Sequence, residues 1–171
     1  MLKKTFISFT LILCLMVGVC SAAPSQDNAM IAVALYIDTS GHYVPGMDLL
    51  NKALNEIIRF KINALFLGSE VLSGNEVLRG LNRCGITDTA SATENSLFNY
   101  TSNAHVNYVM LFTVHPLDLS MDLKAFSAAS QNYLVDKTVT RPDSSEALST
   151  LETFSNMLSN EISGIFQSIH S

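Results

Sequence analysis

Ile31-Ala32-Val33-Ala34-Leu35-Tyr36-Ile37-Asp38-Thr39-Ser40-Gly41 decides how this chain folds. Seven apolar residues run without interruption and stop at a cluster of turn formers. A continuous apolar run of this length is the mark of a strand covered on both faces. A helical pattern begins a few residues later, so the stretch is the first βα step of a layered α/β domain. Tyr108-Val109-Met110-Leu111-Phe112-Thr113-Val114 is a second run of the same kind, ended by Pro116. The two belong side by side at the centre of one sheet.

The elements between and beyond them follow from periodicity. A first helix is expected over 45–60, with Met47, Leu50, Leu54, Ile57 and Ile58 on one stripe and Asn51, Lys52, Asn55, Glu56 and Arg59 opposite. Residues 62–67 read as a second strand closed by Gly68-Ser69. Ser73 and Glu76 have the spacing of a capping box for a second helix, which Gly85 ends. A polar loop over 86–96 leads to a third helix over 93–103. Leu119 to Phe126 alternates strictly and reads as a half-buried strand. Residues 131–139 read as its hairpin partner, the pair being exposed on one face. Asp143 and Glu146 box the start of a last helix, 144–169, whose stripe is Leu148, Leu151, Phe154, Leu158, Ile162, Ile165 and Ile169. The expected fold is a single layered α/β domain over 31–171. Its mixed sheet has a parallel core and a C-terminal β-hairpin, with the long C-terminal helix packed on it.

Residues 1–22 have the make-up of a secretory signal. Lys3 and Lys4 precede an apolar segment, and Cys20-Ser21-Ala22 offers small residues for cleavage after Ala22. The segment is short for a membrane span of about 20 residues, and the chain after it contains no second candidate. Residues 23–30 form a polar, mobile lead-in. The expected location is therefore periplasmic or secreted. The alternative is a lipid anchor on Cys20, for which Val19 is larger than a lipobox favours.

Processing alters the composition. Of three cysteines only Cys84 remains, so the exported domain has no internal disulfide and is held by packing. Beside Gly85, in an amphipathic segment, Cys84 reads as a small hydrophobe. The 10 Lys and Arg against 15 Asp and Glu become 8 against 15, because Lys3 and Lys4 are lost. The basic residues are scattered singly, which excludes nucleic acid and anionic lipid as partners.

The opening at 31–41 resembles the "IAV-x-x-F-x-D-x-S/T-G" start of a family of envelope α/β domains. These are typified by the TolB amino-terminal domain, the curli-secretion lipoprotein CsgG and the outer-membrane activators of penicillin-binding proteins. Tyr36 stands where that family tends to have Phe. Asn103 to Val114 lies where the family has a "G-A-D-Y-V-L-x-G-x-V" strand, with the small-Ala element poorly kept and Phe112 or Thr113 in place of the later glycine. The resemblance implies a non-catalytic module that docks an envelope protein partner and needs no cofactor.

Ligands of parallel α/β sheets gather beyond the C-terminal strand ends. With the two apolar strands parallel, Asp38, His42, His115 and Asp118 fall at one edge, as candidate binding residues. Two imidazoles and two carboxylates are a donor set for zinc or for acid–base chemistry, so the alternative reading is a metal-dependent hydrolase. No local pair has a metal-ligand spacing, however, and turn formation explains the same residues. No GxGxxG, P-loop or nucleophile elbow is present. A homo-oligomer is the remaining expectation, joined through the hairpin edge or spare apolar surface on the last helix.

Overall fold

The computed structural model describes residues 29–42, 45–141 and 149–170. The expected signal, most of the lead-in and the capping box at Asp143 and Glu146 lie outside the described residues. Five strands form one sheet in the order β2-β1-β3-β4-β5. They are β1 (Met30–Ile37), β2 (Glu70–Ser73), β3 (Tyr108–His115), β4 (Ser120–Ser127) and β5 (Asn132–Thr140). Both β2 and β3 pair with β1 in parallel. The β3–β4 and β4–β5 pairs are antiparallel. The fold class is thus the mixed α/β layer read from the sequence, with the two apolar strands adjacent at its centre.

Side-chain alternation divides the core in two. On one face Ile31, Val33 and Leu35 of β1 join Met110, Phe112 and Val114 of β3 and Met121, Leu123 and Ala125 of β4. Helices α1 (Met47–Leu65) and α4 (Thr150–His170) cover that face. On the other, Ala32, Ala34, Val109 and Leu111 meet helices α2 (Asn75–Arg83) and α3 (Glu94–Ala104). The chain steps from β1 outward to β2, then back across to β3. Right-handed crossovers in opposite directions must lie on opposite faces, which is why α1 and the α2–α3 pair are separated by the sheet.

Four expectations are corrected at the level of elements. Residues 62–67 are not a strand: α1 continues to Leu65 and buries Leu50, Leu54, Ile58 and Ile62 at strict fourfold spacing. The strand comes after Gly68, as the short β2. Ser73 belongs to that strand, so no Ser73–Glu76 box forms, and Gly74 precedes α2 without a side-chain cap. The helix ends as expected before Gly85, whose φ of 79° suits a residue without Cβ. The last helix begins at Thr150, later than expected, and is opened by Ser149. The Glu152 carboxylate accepts from the Ser149 amide at 2.9 Å and from its hydroxyl at 2.7 Å, while Ser149 Oγ accepts from the Glu152 amide. This is a capping box six residues beyond the expected one.

The fourth correction concerns the hairpin. β4 is covered on both faces, since residues 86–92 fold back over the face expected to meet solvent. Thr89 is buried there, and its amide and hydroxyl both donate to Thr113 Oγ1, at 3.1 and 2.9 Å. The Ala92 carbonyl accepts from Lys124 Nζ and Tyr133 Oη, each at 2.9 Å. On this side of the sheet β5 is the edge strand, bent where Leu134 is extra between the Ala125–Val135 and Phe126–Tyr133 pairs. Among the described residues, no helix is long and apolar enough to cross a membrane.

Candidate functional site

The strand register gathers polar residues at the end of the sheet face that carries α2 and α3. Tyr36 is opposite Thr113, and Thr113 is opposite Asp122. Asp122 is in turn opposite Thr138 of β5. Ile37 pairs with Val114, so the next position sets Asp38 beside His115, held by the Asp38 amide donating to the Val114 carbonyl at 2.9 Å. His115 and Asp122 are diagonal neighbours across the β3–β4 pair, within reach of a long side chain.

His115 therefore sits between two carboxylates. Its Nδ1 lies 3.2 Å from Asp38 Oδ2 and its Nε2 3.0 Å from Asp122 Oδ2. The outer oxygens are engaged too: Asp38 Oδ1 accepts from the Ser40 amide at 2.7 Å, and Asp122 Oδ1 from Thr138 Oγ1 at 2.6 Å. One connected set of hydrogen bonds ties the loop after β1 to β3, β4 and β5. It lines a cleft of about 330 Å³ together with Tyr36, Asp88 and Thr89.

The protonation states follow from this geometry. Burial works to lower the His115 pKa, but hydrogen bonding and charge from Asp122, then from Asp38, outweigh it and raise it. Burial works to raise Asp122, yet the Thr138 and His115 hydrogen bonds and the His115 and Lys124 charges leave it lowered. Tyr36 is pushed up to about 12, by burial first and then by Asp88 and Tyr100. Its buried hydroxyl has no hydrogen-bond partner among the described residues. The cleft thus sets the His115 imidazole, its affinity for a second proton raised, between two carboxylates and beside a neutral phenol.

A pH profile checks this arrangement. The folded His115 holds its proton more tightly than a histidine at its ordinary 6.5. Its pairing stabilises the fold fully below 6.5 and is lost as pH rises through the raised folded value. Asp122 acts in the opposite sense: its contribution is present above its ordinary 3.8 and lost as pH falls through the lowered value. The thermal midpoint is expected to peak near about pH 5–6 and to decline on the alkaline side. His115→Gln should flatten that alkaline decline, whose size is about 1 kcal/mol because the pair is partly open to solvent.

Of the four residues expected at this edge, the structure joins only Asp38 and His115. His42 is exposed and turns back on its own loop, its Nδ1 3.3 Å from the Thr39 carbonyl. Asp118 is exposed in the β3–β4 turn and lines no part of the cleft. Asp122, Thr138, Thr113 and Tyr36 went unread. A signal for Asp122 existed: a tight β3–β4 turn fixes the register, and alternation then sets Asp122 on the His115 face. Because Asp38 and Asp122 occupy opposite nitrogens of one ring, they cannot converge with it on a single ion. Among the described residues, no group of three or more His, Cys, Asp or Glu is disposed to hold a metal.

A second concavity lies on the other side of the same edge. Met47, Leu49, Leu50, Pro116, Leu117 and Leu151 surround an apolar groove of about 360 Å³ where α1 and α4 begin. Leu117 is 59% exposed and Leu151 40%. Cys84, by contrast, is half-buried beside the second helix, with a free thiol.

No protein-family model matches the chain, and no curated protein does either. Among solved structures it is similar to the LpoB C-terminal domain from Salmonella enterica, at 11% identity and a TM-score of 0.42. That match covers 66% of this chain and 81% of the LpoB domain. It is similar also to TolB from Acinetobacter baumannii, at 13% identity and a TM-score of 0.46, over 82% of this chain but 28% of TolB. The likeness to TolB expected from the opening strand thus has a counterpart, whereas neither structure is the curli-secretion lipoprotein. At this level of similarity neither supplies a function.

Proposed function

We propose that this chain is exported by its first 22 residues and works in the bacterial cell envelope as a non-catalytic module that docks a protein partner. The observation that supports this reading is the state of His115. Both ring nitrogens are engaged by carboxylates whose other oxygens are themselves engaged. A general base needs a free lone pair and a metal ligand needs an open nitrogen; this imidazole has neither. The cluster acts as a clamp that fixes the ends of four strands. What it holds in place is the apolar groove between α1, α4 and the β3–β4 turn, where a partner's apolar side chain can seat against Leu117 and Leu151.

The test is covalent capture in the envelope of the host. A photoreactive group at position 117 should give one reproducible crosslinked protein, and Leu117→Glu should abolish co-purification of that protein while leaving the fold unchanged. Retention of the same partner by Leu117→Glu would refute the groove as the docking surface.

A further inference from the structure

Helix α1 carries a buried stripe and, beside it, a second apolar row that the core reaches only through the partly buried Ile57. The stripe at Leu50, Leu54, Ile58 and Ile62 is buried. A second stripe, Leu49, Ala53, Ile57, Phe60 and Ala64, follows spacings of four, four, three and four and occupies about 80° of the helix circumference. Leu49 and Phe60 are each 73% exposed, and Leu67, in the turn just after the helix, is 75% exposed. These are three of the six large exposed hydrophobic residues among the described residues, and they belong to one helix and its end. Isolated surface leucines need no explanation, but an apolar row about 22 Å long does.

The row reads the same in both directions. Leu49, Ala53, Ile57 | Phe60, Ala64, Leu67 has large, small, large on either side of a point between residues 58 and 59. A two-fold axis through that point, perpendicular to the helix, pairs Ala53 with Ala64 of a second copy and Ile57 with its Phe60. Leu49 then comes to the Leu67 end. Small residues facing small ones let two helices approach closely, while the large pairs on either side fill the space between them. The charges agree. Lys52, Glu56, Arg59 and Asn63 border one side of the stripe, and a two-fold axis lays that border along itself in reverse. Glu56 then lies within about one helical turn of Arg59 of the second copy, and the reciprocal pair forms as well. In the single chain these two are only a loose pair, 3.7 Å apart and well exposed.

From this self-complementarity we infer that the occupant of the outer α1 face is a second copy of this chain, packed antiparallel to form an isologous dimer. Two crossing helices bury less than a standard interface of about 800 Å² per partner, so the dimer is weak, with a dissociation constant on the order of 10 µM. The inference does not rest on the partner groove, although Leu49 lines both surfaces; the test below therefore uses Phe60, Glu56 and Arg59, which lie outside it.

Sedimentation equilibrium of the purified protein tests it. A monomer–dimer equilibrium is expected across the micromolar range, and Phe60→Lys, at an exposed position, should weaken it at least about 30-fold. Glu56→Arg and Arg59→Glu should each weaken self-association by like-charge contact, and an equimolar mixture of the two should restore it as a heterodimer. Circular dichroism confirms that each variant is folded. A monomer at all concentrations, a dimer that Phe60→Lys leaves intact, or a mixture no stronger than its components would overturn the inference.

Discussion

Phe154→Ala is expected to cost about 3–5 kcal/mol, the range for truncating a fully buried aromatic residue. Phe154 is 0% exposed and lies in the core formed by α1, α4 and β1, β3 and β4. Domains of this kind have only about 5–15 kcal/mol of stability in total, so the variant should melt far earlier or fail to accumulate. The comparison that gives the result meaning is Phe60→Ala. It removes the same ring from an exposed position and should change stability by less than about 0.5 kcal/mol. Chemical denaturation of both variants checks the pair. Equal losses would mean that α4 does not pack on the sheet through Phe154.

Thr113→Val is expected to cost about 2–3 kcal/mol, although the two side chains have nearly the same shape. Thr113 Oγ1 accepts from both the amide and the hydroxyl of Thr89, and both residues are buried. The valine leaves those donors without a partner where water does not reach, and each such group costs about 1–3 kcal/mol. The hydroxyl can rotate toward another acceptor; the amide cannot. Thr113→Ser keeps the acceptor and should retain most of the stability. Hydrogen exchange adds a local readout: in Thr113→Val the amides of residues 86–92 should lose protection before the rest of the sheet does. Uniform loss across all strands would show that this segment is not separately anchored through Thr113.

Much of the fold was legible because burial leaves a mark in sequence. The runs at Ile31 and Tyr108 are apolar throughout because both faces of β1 and β3 are covered. The hairpin was legible through alternation, and its two strands pair as expected. The misreadings share a cause, which is that short apolar segments do not disclose their period. Ile62 to Leu67 looks like a strand in isolation; only its continuity with Ile58 at fourfold spacing shows that its first four residues, to Leu65, are helix. β2 has four residues with polar ends, too few for any pattern to emerge. The segment over 86–92 reads as a solvated loop from its composition, yet its place is set by hydrogen bonds to Thr113, Lys124 and Tyr133, all remote in sequence.

The candidate site was half legible for the same reason. Asp38 and His115 end neighbouring parallel strands, and strand ends can be located from sequence. Choosing Asp122 over Asp118 needs the register of the β3–β4 pair, and demoting His42 needs the path of the loop after β1. Proximity in sequence favoured Asp118, three residues from His115; the sheet favours Asp122, which stands diagonally across from it. The consequence is functional. Four convergent ligands would have suited a metal ion, whereas carboxylates on opposite nitrogens of one imidazole underlie the clamp proposed above.

The most direct measurement is nitrogen-resolved NMR of the His115 ring across pH, with and without added zinc. Both ring nitrogens are predicted to stay protonated above pH 6.5, the ordinary histidine value, and zinc is predicted to leave their shifts unchanged. A His115 that titrates at or below that value, or a nitrogen that loses its proton to bound zinc, would contradict the clamp and with it the non-catalytic reading.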